Sequence, residues 1–265
     1  MSERNFDPEI RRVAHLIADA ARAAILPYFR SRALGTDNKL ATGFDPVTEA
    51  DRAGERAMRE ILARERPDDG VLGEEYGIKD GTSGLTWVLD PIDGTRGFIS
   101  GTPTWGVLIA VADEKGPFYG IIDQPYIGER FEGAPDGAVM QGPHARAALA
   151  TVAPRDLAEA IAFTTFPEVG DAAEREGFHA VAARVRLTRY GMDCYAYAML
   201  AAGQIDLVIE AGLAPYDIQA PIAVIEAAGG IVTDWQGRPA HQGGRAIAAA
   251  NERVHGQALE ILRNY

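Results

Sequence analysis

Apolar residues recur at helical spacing between Asp7 and about Arg30, at Val13, Leu16, Ile17, Ala20 and Ala24. Asp7-Pro8 supplies a capping side chain and then a proline at the first helical position. A second helix is predicted from about Thr48 to Arg64, with Met58, Ile61 and Leu62 as its apolar stripe and Pro67 beyond its end. Between them, residues 35–46 are polar and contain glycine, the pattern of a loop or mobile hairpin.

The period then changes. Val71-Leu72-Gly73 and residues 86–89 and 107–111 are short apolar runs bounded by Gly or Pro, which predicts strands, and residues 118–122 and 129–132 continue them as a meander. Helices followed by antiparallel strands imply a helix layer on a sheet. After about Gly142, strand and helix alternate. Strands are predicted at 161–164, 185–187, 205–209, 231–233 and 246–248, and helices at 172–183, 194–202, 215–228 and 253–262. The fold class is therefore α/β, with an α+β half over residues 1–143 and an α/β half over residues 144–265.

Composition and charge narrow this only a little. With 47% hydrophobic and 24% charged residues the chain is ordinary globular protein. Its 38 acidic and 26 basic side chains give a net charge of −12, which argues against nucleic acid and, taken naively, against a phosphorylated ligand. A single cysteine, Cys194, fits a reducing cytoplasm, and neither a signal segment nor a bilayer-length apolar run is expected.

The chemistry concentrates in Trp87-Val88-Leu89-Asp90-Pro91-Ile92-Asp93-Gly94-Thr95. Here an apolar strand leads into two carboxylates three positions apart, and Pro91 is expected to end the ladder and turn the chain. Two close anions repel unless protonated or bridged by a cation, and hard oxygen ligands favour Mg²⁺. The amides of Gly94, Thr95 and Arg96, opening a short helix, suit an anion. Asp, Pro and Gly are also turn residues, so alone this segment reads first as a decorated turn, and its context reverses that. Its context is acidic: Glu74-Glu75 follows a strand, Asp51 sits early in the second helix, and Asp217 lies at a loop-to-helix junction. Plain helix-start capping is the simpler account of the last two.

Together these segments resemble the Mg²⁺-dependent, lithium-sensitive inositol monophosphatase-like phosphatases. The resemblance rests on Gly73-Glu74-Glu75, on residues 87–95, and on Tyr216-Asp217-Ile218-Gln219-Ala220-Pro221 leading to Glu226-Ala227-Ala228-Gly229-Gly230. It implies a layered αβαβα sandwich of the inositol monophosphatase and fructose-1,6-bisphosphatase type, with a small phosphorylated metabolite and a homodimer mate as partners. It further implies that Glu74, Asp90, Asp93, Asp217 and the Ile92 carbonyl hold two or three Mg²⁺ ions. Asp51 and Thr95, assisted by Glu74, then position and deprotonate the attacking water, while Gly94 and Thr95 cradle the phosphoryl group.

Departures from the inositol enzymes bear on the substrate. Arg96-Gly97-Phe98 follows Asp-Gly-Thr, and Gly191-Met192-Asp193-Cys194-Tyr195 stands where the inositol enzymes often have Gly-Thr-Ala. Both are similar to the histidinol-phosphate phosphatase branch, which implies hydrolysis of L-histidinol phosphate in histidine biosynthesis. Histidinol phosphate carries an ammonium and an imidazole, for which Asp193 and Glu210 supply acceptors. Asp193 has a second reading, as the cap of the helix beginning at Cys194. Trp105 is either a stacking surface for a cationic ring or a core residue, and Arg189 either approaches the site or is solvated. The five histidines lack metal-ligand spacing. Inositol-1-phosphate or a related monoester is the alternative substrate. An inactive metal-binding regulator is the alternative of another class, expected to lose Asp51, Glu74 or Thr95, all of which are present.

Overall fold

The computed structural model describes residues 6–31, 36–38, 46–153, 155–168 and 170–265. Helix α1 (Pro8–Ile25) opens on Asp7, whose carboxylate accepts from the Glu9 amide at 2.9 Å. It stops at Ile25 rather than near Arg30: Pro27 has no amide to continue the ladder, and the chain tightens into turns in which Tyr28, Phe29 and Ser31 donate to the carbonyls three residues back. Strands β1 (Thr36–Asn38) and β2 (Pro46–Thr48) pair antiparallel and lead into α2 (Glu49–Glu65). The rest of the loop expected at 35–45 lies outside the described residues.

The first sheet runs β3 (Gly70–Gly73), β4 (Gly77–Lys79), β5 (Thr86–Asp93), β6 (Gly106–Asp113), β7 (Gly116–Gln124), β8 (Glu129–Ala134), β9 (Gly137–Gln141) and β10 (Arg146–Ala148), with short helix α3 (Thr95–Ser100) after β5. Its spatial order is β10-β9-β8-β7-β6-β5-β3-β4. Strands β4, β9 and β10 were not expected. They carry few buried side chains, so no apolar run marks them.

The second half supplies β11 (Ile161–Thr164), α4 (Ala172–Ala182), β12 (Leu187–Tyr190), α5 (Tyr195–Ala201), β13 (Leu207–Leu213), α6 (Pro215–Ala227), β14 (Ile231–Thr233), β15 (Gly244–Ala249) and α7 (Glu252–Leu262). The second sheet has the order β12-β11-β13-β15-β14, parallel at β12-β11-β13 and antiparallel beyond. Strand β12 begins at Leu187, where the expected strand ended. It is an edge strand largely open to solvent, set by pairing with β11 rather than by hydrophobicity.

Five layers result. Helices α1 and α2 pack together on one face of the first sheet, over a core that includes Ile17, Met58, Trp87 and Ile109. Helices α5 and α6 lie between the sheets, where Leu108, Ile122, Tyr197, Val224 and Ala248 share one core. Helices α4 and α7 cover the outer face of the second sheet around Phe178, Trp235 and Leu259. Helix α6 is apolar almost all round, as burial between two sheets requires.

Candidate active site

Strand β5 does not end before Pro91. It continues to Asp93, pairing Asp90 with Leu108 and Asp93 with Gly106, so three steps on β5 match two on β6. Alternation would send residues 90 and 93 to opposite faces of a regular strand. The extra residue at Pro91-Ile92 is a β-bulge, and it returns both carboxylates to one side. Asp217, at the start of α6, completes the group: one oxygen from each of Asp90, Asp93 and Asp217 lies within 4.8 Å of the others.

Each acid is held by backbone. The Ile92 amide donates to Asp90 Oδ1 (2.9 Å), the Cys194 amide to Asp93 Oδ2 (2.6 Å) and the Ala214 amide to Asp217 Oδ2 (2.7 Å). Asp217 thus serves as a helix-start cap as well as a member of the cluster. Glu74 leaves β3 with its amide on the Leu89 carbonyl (3.2 Å), and its carboxyl hydrogen-bonds Asp90. Burial first, and then the neighbouring acids, push Asp90 and Asp93 well above the usual carboxylate range. An all-oxygen set under such repulsion matches a hard divalent cation, and Mg²⁺ fits these residues.

Beside the cluster, Asp51 is 1% exposed at the third position of α2. The amide and hydroxyl of Thr48 both donate to its Oδ2, at 2.7 and 2.6 Å, closing a capping box. Its Oδ1 faces the Thr95 hydroxyl at 3.5 Å, and that hydroxyl also donates to the Ile92 carbonyl at 3.1 Å. Burial raises Asp51 to about 6 against the Thr48 bonds. Gly94, at φ 87°, turns the chain from β5 into α3 in the left-handed region that glycine adopts without penalty. The opening amides of α3 have no acceptor within the helix and point its positive end outward.

A cavity of about 410 Å³ joins Glu74, the Asp90 cluster, Gly94 and Thr95 to Asp193 and Glu210, with Asp51 buried behind Thr95 and outside the lining. Asp193 does not cap α5. Cys194 holds the cap position, and the Asp193 carboxylate accepts from the Thr104 hydroxyl at 2.9 Å. Its backbone is left-handed at φ 45°, and its side chain lies so close to Gly94 and Gly97 that a Cβ at either would come within 2.7 and 2.9 Å of it. Glu210 sits on β13 at a second bulge, where Glu210 pairs with Ala246 and Leu213 with Gly244. It accepts from the Thr165 amide (2.6 Å), the Thr165 hydroxyl (2.8 Å) and the Thr164 hydroxyl (3.1 Å). Burial nevertheless raises it to about 7.

Other expectations resolve plainly. Trp105 is a core residue, fully buried against Phe29 and Phe98. Arg189 is exposed on β12, outside the cavity lining. No histidine joins a metal-type cluster among the described residues. Cys194 is buried and in no disulfide. Phe166, also on the cavity wall, was not singled out; Arg96 lies over its ring at 5.0 Å, and only the fold brings α3 to the loop after β11. Thr104, Thr164 and Thr165 are not legible from sequence because they meet their acids across the fold, whereas Thr48 does leave a local sign, the capping-box spacing to Asp51.

Comparison with known proteins is consistent along the whole chain. The inositol monophosphatase family profile matches residues 7–265. A chloroplastic bifunctional phosphatase of Arabidopsis thaliana, IMPL2, is 38% identical over 94% of this chain and 74% of its own. A histidinol-phosphatase of Streptomyces coelicolor is 35% identical over 95% of this chain and 96% of its own. The solved structure of an inositol monophosphatase from Zymomonas mobilis superimposes with a TM-score of 0.86 at 38% identity, covering 98% of this chain and 100% of that one. Relatives with either substrate name are thus about equally similar, but all share one hydrolytic chemistry on phosphomonoesters. The chain belongs to the inositol monophosphatase family and is a phosphomonoester hydrolase.

Proposed function

We propose that this enzyme hydrolyses L-histidinol phosphate to L-histidinol and phosphate, in a cytoplasmic, homodimeric form. The observation that carries the choice of substrate is the Asp193 carboxylate, presented to the cavity beside the start of α3 and oriented by Thr104. Glu210 and Glu168 also line that cavity, so its wall away from the Asp90 cluster's own acids is rich in acceptors for an ammonium or imidazolium.

Glu74, Asp90, Asp93, Asp217 and the Ile92 carbonyl would hold Mg²⁺, which when bound neutralises the ester's charge and makes water a better nucleophile. The Thr95 hydroxyl, between the Ile92 carbonyl and Asp51 Oδ1, orients the attacking water. Asp51 Oδ1 accepts its proton; Oδ2 is already occupied by Thr48. The amides that open α3 at Gly94 and Thr95 bind the phosphoryl oxygens as charge builds there. An overall charge of −12 does not oppose this, because the local field at the phosphate depends on α3 and the bound cations.

A phosphate-release panel in millimolar Mg²⁺ tests the assignment, using histidinol phosphate, inositol-1-phosphate, fructose-1,6-bisphosphate and adenosine bisphosphate. The expected result is the highest kcat/KM on histidinol phosphate. A higher value on inositol-1-phosphate transfers the assignment to that ester.

A further inference from the structure

Helix α2 carries a second buried acid one turn beyond Asp51. Glu55 has no solvent exposure and does not line the cavity. Its Oε2 accepts from the Glu75 amide at 2.6 Å, and its Oε1 from the Tyr76 amide at 3.2 Å and Arg59 Nε at 2.6 Å. Arg59 also donates to the Gly77 carbonyl, closing the other end of the same turn. The chain between β3 and β4 is therefore wrapped around one carboxylate. Gly73 shows how closely: a Cβ there would stand 1.9 Å from Glu55 Oε1, so any other residue would displace that carboxylate from its donors.

A buried carboxylate with three N–H donors is well compensated, and removing it would strand those donors along with a partly buried guanidinium. What it fixes is the turn immediately after Glu74, whose carboxyl faces Asp90. Asp51 and Glu55 are four residues apart on the same face of α2, so one rigid helix sets Asp51 and the Glu74 turn relative to each other.

We propose that Glu55 is a positioning residue that holds the Glu74 turn in register with Asp51 and the Asp90 cluster, and so sets the affinity for the divalent cation. The proposal rests on the reading of Glu74 as a cation ligand. It requires three acceptor contacts, which explains the choice of residue. Glutamine offers one acceptor oxygen and turns an NH₂ toward N–H donors, and aspartate is a methylene too short.

The test measures thermal unfolding of the full chain across a Mg²⁺ titration, together with the Mg²⁺ dependence of phosphate release from the preferred ester of the panel. Glu55→Gln is expected to shift both Mg²⁺ midpoints upward by about tenfold, while KM for the ester at saturating Mg²⁺ changes less than about twofold. A lower Tm with unmoved Mg²⁺ midpoints overturns the proposal, since a purely structural group would behave so. Should Glu55→Gln fail to fold, Arg59→Met removes the guanidinium that steadies Glu55 and is expected to shift the midpoints by about threefold; unmoved midpoints there also overturn it. A wild-type Tm indifferent to Mg²⁺ would instead overturn the cation reading itself, and this proposal with it.

Discussion

The Cys194 amide donates to Asp93 Oδ2 at 2.6 Å, joining residues 101 apart in the chain. The preceding residue is Asp193, held at φ 45° where a non-glycine residue is strained by about 1–2 kcal/mol. One loop of the second half thus steadies a member of the acidic cluster through its backbone and presents a carboxylate to the cavity through the next side chain. That coupling makes the two functions separable only by substitutions that spare the backbone.

Asp193→Ala removes the carboxylate and leaves the Cys194 amide in place. KM for histidinol phosphate is expected to rise by about 10–100-fold, the value of a charge-assisted hydrogen bond, and that for inositol-1-phosphate by far less. Steady-state kinetics on both esters provide the comparison. Equal losses would mean that Asp193 serves the loop and not the substrate. Asp193→Gly, which also relieves the left-handed strain, should match the alanine kinetics with an equal or higher Tm.

Asp93→Asn bears on the cluster. Turnover is expected to fall by at least about a thousandfold, with weaker Mg²⁺ binding by calorimetry and an unchanged circular dichroism spectrum. In EDTA at neutral pH the same variant should melt at a higher temperature than wild type, because Asp93, raised by burial and then by Asp217 and Asp193, opposes folding when ionised. Retained turnover would remove Asp93 from the set.

The strongest elements were legible because their local patterns agree with their burial. The α2 stripe, the β6 and β7 runs and the acidic motifs belong to this group. Pro91 misled, since a proline that breaks one ladder hydrogen bond reads as a strand end, whereas here it sits in a bulge that the pairing with β6 spans. That bulge is also what makes a spacing of three workable for Asp90 and Asp93. Glu55 left a signal that was not used. It falls with Gly54, Met58 and Leu62 on the buried stripe of α2, and an acid on an apolar stripe must have partners. Asp193 shows the opposite limit: its contact with Thr104 depends on two distant loops meeting, which no local spacing encodes.

Thr95→Ala probes the orientation of water. The hydroxyl bridges the Ile92 carbonyl and Asp51 Oδ1, and its loss leaves the α3 amides intact. The expected outcome is a fall in kcat of about a hundredfold with KM nearly unchanged, and recovery in Thr95→Ser, which restores the oxygen. Equal losses in the alanine and serine variants would point instead to packing around the threonine methyl.

Glu210 gives a stability prediction with a definite sign. Burial lifts it from 4.5 to about 7 even though Thr164 and Thr165 supply three hydrogen bonds. Between those two pH values the folded protein binds a proton at Glu210 that the unfolded chain has released. Stability therefore falls as pH rises through this window, by roughly 3 kcal/mol at most. In Glu210→Gln the amide oxygen still accepts from the Thr165 amide, but nothing titrates. Melting curves of wild type and Glu210→Gln in EDTA, taken from pH 5 to pH 8, should therefore diverge with rising pH, the wild type losing Tm relative to the variant until about pH 7 and running parallel above it. Asp51, Asp90 and Asp93 titrate in both proteins, so the difference between the curves isolates Glu210. Parallel curves across the whole range would show that the three hydrogen bonds outweigh burial and keep Glu210 ionised throughout.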